Sequence, residues 1–372
     1  MSSQSNLNPK ELDLDEIARK IFGEKVEEVA KWCIRREKEG KHHALPKGRV
    51  ANVFIVIEPV SRLIIRHEQE TTDVTTIPTY LGYIVPAILN TKFQSGTVRR
   101  QMLAILHEWY SRNKDKDIVK SELGIDDYTC AMRPYLRRQP PQKQAQIPEE
   151  FEGYCGNCPN CLIFGYAVQE GGSYNVKSRV EGDIYVSVVP QEQSIVSVTF
   201  NAVDDIGKTP YRPEAPEEAR TGALYEFRMV EVGTPFVGKL ALRDMTLAEL
   251  LLTLATVTRT TRIGGRKTHF GEIKMHVPAV LFSKYEVGSG YEIAHSILSK
   301  HKGKRLTIEE VVNEVVEYAK NFENQGVLVV DRELRDKLRP LSEAELDAII
   351  LQAWKDVLVL KQSLELFVCK GK

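Results

Sequence analysis

No stretch of this chain is apolar for long enough to cross a bilayer as a helix. Nor does the N-terminal segment, MSSQSNLNPKELDLDE, hold the apolar run of a secretory leader. These absences set the expectation of a cytoplasmic protein with no membrane partner. Excess charge is missing too, since 51 Lys and Arg balance 51 Asp and Glu. Bulk electrostatics therefore announces no polyanionic partner, and any nucleic-acid surface must gather its cations locally, with the acids elsewhere. The pattern G-x-x-x-x-G-K-[ST] does not occur, which excludes nucleotide hydrolysis by a P-loop. Cysteine is scarce, with six in 372 residues.

What is present suffices for a sizeable core: 42% of residues are hydrophobic, in a length that fits one large domain with insertions or two domains. Residues 8–39 show helical spacing of Leu12, Ile17, Ile21, Val26, Val29 and Ile34, with Cys33 read as core. The β-branched run 50–57 predicts a buried strand, and 62–67 a second strand or its continuation. A helix is expected over 96–110, strands over 180–189, 194–200, 223–232 and 235–242, and a further strand over 272–282. Thr246-Leu247-Ala248-Glu249 is a capping-box pattern that opens a helix. Residues 111–175 lack periodicity and read as an insertion, 201–222 as a long polar loop, and the last ninety residues as mainly helical. The order strand, helix, strand, strand, helix, strand between 50 and 282 is that of a split β-α-β sheet. The expected fold is therefore α+β: a ferredoxin-like, RNA-recognition-type core in two parts (50–110 and 176–285), an inserted zinc-binding subdomain (111–175), an N-terminal helical segment (1–49) and a C-terminal mainly helical region (286–372).

Half of the cysteines fall in one short motif, GYCGNCPNCLIFG (153–165), where Cys155, Cys158 and Cys161 repeat a C-x2-C spacing. A C-x2-C turn aims two thiolates at one ion, and Zn2+ takes four ligands in a tetrahedron. Cys130, in the same insertion, is the leading fourth ligand and His107 the runner-up; Cys33 and Cys369 lie in helical or terminal sequence. Four thiolates close the site, so the expected role is structural. The competing reading is a set of small buried residues or a redox pair.

The second informative stretch is TRTTRIGGRKTHFGEIK (258–274). Arg259, Arg262, Arg266, Lys267 and Lys274 face one acid, Glu272, while Gly264, Gly265 and Gly271 allow a close backbone approach to a ligand. Cations, small hydroxyls and free amides suit a phosphate backbone. Arg62, Arg66 and His67 after the first strand, Arg99 and Arg100 at the first helix, and His269 in the glycine-rich loop complete the candidate RNA-binding set. The alternative for Arg259 and Arg262 is that they complement a helix C-terminus.

The order of these motifs resembles the RAMP superfamily of CRISPR proteins, in particular the repeated backbone subunit of type I-D interference complexes. The resemblance is carried by SGTVRRQML (95–103), CGNCPNCLIFG (155–165), the run from Asp204 through TGALYEFRMVEVGTPF (221–236), and RIGGRKTHFGEI (262–273). It implies a non-catalytic scaffold that binds single-stranded guide RNA without reading its sequence. Copies of the chain would stack along the RNA, beside other CRISPR subunits, and meet target nucleic acid through the guide. It also implies a thumb-like hairpin, placed at 201–222. Two other functions compete. One is a ribonuclease using a loop aspartate, Asp73 or Asp204-Asp205; the other is a guide-processing endonuclease using His67 or His269.

Overall fold

A computed structural model of the chain describes residues 13–38, 40–66, 73–132, 153–167, 175–201 and 224–368. His67, Asp204, Asp205, Cys369 and nearly all of the loop at 201–222 lie outside the described residues.

Helices α1 (Leu14–Phe22) and α2 (Val26–Trp32) come first, joined by a 3-10 turn. Asp13 caps α1 by accepting the Asp15 N–H at 3.0 Å. The run 50–59 forms β1 (Val50–Pro59), on which Glu58 alone is not fully buried. Its alternation divides the interior. Val53, Ile55 and Ile57 enter one apolar cluster, and Phe54 and Val56 enter another on the opposite face. A strand buried on both faces has no polar side to alternate with, which is why the run is apolar but for Glu58 and the buried Asn52, whose Nδ2 donates to Leu281 O at 3.2 Å.

The remaining strands are β2 (Thr76–Pro78), β3 (Ile84–Ile88), β4 (Val180–Gly182), β5 (Tyr185–Ser187), β6 (Ile195–Asn201), β7 (Leu224–Val230), β8 (Phe236–Arg243), β9 (Ile273–Ser283) and β10 (Leu328–Val330). The large sheet runs β10-β9-β1-β8-β5-β3-β2, with β4 also on β8, and every pairing between named strands is antiparallel. A separate ribbon pairs β6 with β7 from Ile195↔Val230 to Asn201↔Leu224. The chain is thus mixed helix and antiparallel sheet.

Helices α3 (Arg99–Asn113), α4 (Pro159–Phe164), α6 (Leu247–Arg259) and α10 (Glu343–Val368) contribute to the cluster on one face, together with α1 and the short turn α9 (Arg335–Leu338). Helices α7 (Gly290–His301) and α8 (Ile308–Lys320) cover the other. The one-turn α5 (Gln191–Ser194) leads into β6. The capping box read at 246–249 is present: Thr246 Oγ1 accepts the Glu249 N–H at 3.2 Å, and Glu249 Oε2 accepts the Thr246 N–H at 2.9 Å.

Glu249 is fully buried and does more than cap. Arg36 Nη1 lies 2.7 Å from Oε1, and Arg179 holds both oxygens, with Nη1 2.9 Å from Oε2 and Nη2 2.5 Å from Oε1. Burial alone would push this carboxyl up, but Arg179 and Arg36 outweigh it and hold it at about 2.

Three expectations differ in detail. The segment expected to be a strand at 62–67 makes only single bridges, Leu63 to Val230 and Ile65 to Val74. The strand at 180–189 splits into β4 and β5. The helix at 96–110 starts at Arg99, after a π-type helix over Thr91–Val98.

Candidate metal centre and basic cleft

The cysteine motif folds as a knuckle. Cys158 is the N-cap of α4, Pro159 follows at a position whose N–H has no partner to lose, and the amides of Cys161 and Leu162 donate to the Cys158 carbonyl at 3.0 and 3.1 Å. The ligand atoms of Cys130, Cys155, Cys158 and Cys161 lie within 4.8 Å of one another. Cys130 Sγ is 3.5 Å from Cys161 Sγ and 3.7 Å from Cys158 Sγ, and Cys155 Sγ is 4.0 Å from Cys161 Sγ. A tetrahedral ion with metal–sulfur bonds of about 2.3 Å needs sulfur–sulfur edges of about 3.8 Å, so the four thiols can hold a metal ion, and zinc is compatible with them. Hydrogen bonds from Cys155, Cys158 and Cys161 pull the Cys130 thiol well below its usual range, whereas burial pushes Cys158 up.

His107 does not enter the cluster. Its Nε2 donates to the Cys130 carbonyl at 2.6 Å and its ring lies 4.5 Å from that of Tyr128, so it orients the Cys130 backbone. Arg99 ties the knuckle to α3. Its guanidinium donates to Asn160 Oδ1 at 3.3 Å and to the Gly165 carbonyl at 2.7 Å, and sits 3.8 Å above the Tyr154 ring. The knuckle is not a separate core: Leu162, Ile163 and Phe164 are buried in the large cluster beside the sheet.

The glycine-rich loop closes on itself and against the segment after β1. Ile263 N–H donates to the Gly271 carbonyl at 2.8 Å, Gly271 N–H to Arg62 O at 3.0 Å and Gly265 N–H to Ile64 O at 2.8 Å. Gly264 (φ +86°) and Gly271 (φ +84°) are left-handed, and a Cβ there would fall 2.4 Å from Ile64 O and 2.1 Å from Ile263 O. Gly265 carries no such constraint, its nearest neighbour being 3.5 Å away.

A cleft of about 310 Å³ opens where this loop meets the start of the π-type helix and the root of the β6–β7 ribbon. Arg66, Lys92, Arg266 and Lys267 supply its charge, Gly96, Thr97, Gly264 and Gly265 its polar backbone, and Ile64, Ile65 and Phe227 its apolar wall. The Arg266 guanidinium lies 4.2 Å from the Phe227 ring centroid, and Lys267 Nζ donates to Gly96 O at 3.3 Å. Burial lowers the Lys267 pKa and the nearby Arg100 guanidinium lowers it further. Two cations thus share this corner, and among the described residues no Asp or Glu lines the cleft.

The other candidate cations are placed elsewhere or engaged. Arg62 pairs with Glu231 at 3.2 Å and Lys274 with Glu58 at 3.6 Å. Arg66 lines the cleft but chelates Asp73, whose second oxygen accepts the Arg228 N–H at 3.1 Å. Arg259 donates to Ala255 O, Leu338 O and Arg339 O, completing the end of α6, and Arg262 donates to Lys267 O and Phe270 O within its own loop. His269 is exposed on the loop, its ring 6.3 Å from that of Phe270.

Sequence reasoning missed Lys92 and Phe227. Phe227 had a readable signal: it shares a β7 face with Met229, and both pack with Ile64 in a small cluster under the cleft. Lys92 precedes the SGTVRR motif and carried none.

Comparison with known proteins places this architecture. The fold matches the crystal structure of Thermofilum pendens Csc2 with a TM-score of 0.63 at 20% identity, over 93% of this chain and 96% of that one. Two chains described as parts of a CRISPR RNA-guided surveillance complex align more loosely. One has a TM-score of 0.41 over 74% of this chain and 87% of its own; the other, a pre-nicking form, has 0.46 over 74% and 88%. Both are 13% identical. Among curated proteins no relative matches. The family model described as Csc2 Crispr matches residues 35–353, and with it the likeness to CRISPR backbone subunits carried by the cysteine and glycine motifs is met: the chain belongs to the Csc2 family of CRISPR proteins.

Proposed function

We propose that this chain is a non-catalytic backbone subunit of a type I-D interference complex. It binds single-stranded guide RNA by its phosphates in the cleft between the glycine-rich loop and the root of the β6–β7 ribbon. The observation that carries the reading is the cationic lining of the cleft, where Lys92, Arg266 and Lys267 come together and Arg100 stands near Lys267. Cations gathered in one cleft raise the local positive potential and draw in phosphate. Sequence-independent binding fits a lining of cations, glycine backbone and one aromatic ring, the groups that hold phosphates and stack on any base. The strand order β9-β1-β8-β5, with α3 and α6 as the crossovers, supports a ferredoxin-like core. The four sulfurs are read as a structural Zn2+ site. Copies of the chain stacked along one guide, with target nucleic acid reached through it, complete the reading.

The non-catalytic role is supported by Asp73. Both of its oxygens are engaged, by Arg66 and by the Arg228 N–H, so it is not poised as a base.

The test is fluorescence anisotropy with two labelled single-stranded RNAs of unrelated sequence. The wild type is expected to bind both alike. Arg266→Glu/Lys267→Glu is expected to weaken binding at least tenfold, and to flatten the slope of log K against log[salt] by about 1.4 if two phosphate contacts are lost. Unchanged affinity and slope in this variant, or strong discrimination between the two RNAs by the wild type, would overturn the proposal.

A further inference from the structure

On the opposite side of the sheet, α7 and α8 and the β2–β3 turn enclose a second, broader cleft of about 1060 Å³. Its chemistry is the reverse of the first. Tyr80, Tyr291 and Tyr318 line it, with His295 and the carboxylate of Glu292. Tyr80 stands 90% exposed at the tip of a turn locked by Thr79, which receives the Tyr83 N–H on Oγ1 at 3.1 Å, and its ring meets His295 edge-on at 6.3 Å. Tyr80 does not stand alone, since Tyr291 and Tyr318 line the same cleft, and aromatic rings grouped at a surface cleft mark a contact site. Glu292 donates its backbone N–H to the Ser289 cap, but its carboxylate has no ion pair among the described residues. Among the described residues the one lysine on the lining, Lys300, is held by both oxygens of Glu314 at 2.7 and 2.8 Å.

The charge balance decides the class of occupant. With Lys300 paired, the cleft offers the Glu292 carboxylate and three tyrosine rings, of which Tyr318 also packs on Phe54 and Phe322. That repels phosphate and attracts a cation. The groups converge closely enough to sense one another: burial raises the Tyr318 hydroxyl to about 12 with Glu292 adding to the shift, and Tyr80 adds to that of Tyr291. The breadth of the cleft exceeds one side chain and suits a polypeptide.

We propose that the Tyr80–Tyr291–Tyr318–Glu292 cleft is a protein-docking site that receives an arginine side chain of a partner polypeptide, its guanidinium stacked on the tyrosines and paired with Glu292. Guanidinium is the cation best suited to stack on a ring and bind a carboxylate at once. The site shares no lining residue with the basic cleft, so it stands or falls apart from RNA binding.

The test uses the full chain with 13C-labelled tyrosine rings, observed by NMR and titrated with N-acetyl-arginine methylamide at millimolar concentrations. The comparators are the citrulline analogue, which keeps the shape without the charge, and octauridylate. Saturable shifts of Tyr80, Tyr291 and Tyr318 are expected with arginine alone. Glu292→Gln is expected to weaken binding about three- to fivefold, the scale of one exposed ion pair, with the other tyrosine signals unmoved. No saturable shift, equal response to citrulline, an unaltered Glu292→Gln, or displacement of the same resonances by octauridylate would each overturn the proposal.

Discussion

Replacing Glu249 by Gln tests the ion cluster that joins α6 to the N-terminal segment and to β4. Glutamine keeps the length of the side chain and an oxygen for the Thr246 N–H, so the helix cap survives. What is lost is the charge between Arg36, whose side chain is 1% exposed, and Arg179, at 14%. Two estimates of the loss agree. Holding the carboxyl at about 2 instead of its ordinary 4.5 corresponds to roughly 3 kcal/mol. Breaking a buried pair by removing one partner costs about 3–5 kcal/mol, because the other charge is left uncompensated. The net value of the intact cluster is smaller, since burial also lowers the Arg36 pKa. With an unfolding entropy of roughly 2.1 cal/mol/K per residue over 372 residues, the melting temperature of Glu249→Gln is expected to fall by about 4–6 °C at pH 7. The sign with pH follows from the depressed pKa. The stabilisation is complete above the unfolded value of 4.5 and is lost as pH falls toward 2, so the gap between wild type and variant should close in acid. Calorimetry across pH 3–7 measures both. A melting temperature within a degree of wild type at pH 7, or a gap that does not vary with pH, would refute the argument.

Removing the proposed zinc is expected to loosen the knuckle together with the core it enters, because Cys158 and Cys161 are buried beside Leu162 and Ile163. A chelator at neutral pH should lower the melting temperature and release about one zinc per chain by colorimetric assay, and Cys158→Ser should do the same without chelator. The glycines separate cleanly. Gly264→Ala and Gly271→Ala force a Cβ against a carbonyl oxygen and are expected to lose at least 1–2 kcal/mol in denaturant unfolding, while Gly265→Ala should stay within about 0.5 kcal/mol of wild type.

The sequence was most legible where one physical rule acted alone. The capping box at Thr246–Glu249 sits where the pattern put it, because its geometry is local. The spacing of Cys155, Cys158 and Cys161 was readable for the same reason, and Cys130 joins them in space. The cations were harder. Arg99, Arg259 and Arg262 have the composition of a phosphate site, yet their donors go to carbonyls inside the protein. Whether a guanidinium turns inward depends on which backbone ends lie within reach, and only tertiary structure sets that. Phe227 was hidden differently, as an ordinary strand aromatic until the ribbon brought it under Arg266. The single bridges of Leu63 and Ile65 show the same limit: the run has β-forming residues, but among the described residues it meets only the end of β7 and Val74.

Arg99 and Arg100 are neighbours on one helical turn, about 100° apart around its axis. The first is clamped into the sulfur knuckle and the second faces Lys267. Rotating that turn to widen the groove would drag the clamped residue out of its seat. The groove therefore behaves as a stiff mould, and under the proposed function a flexible strand laid in it must take up the curvature, while the protein keeps its shape.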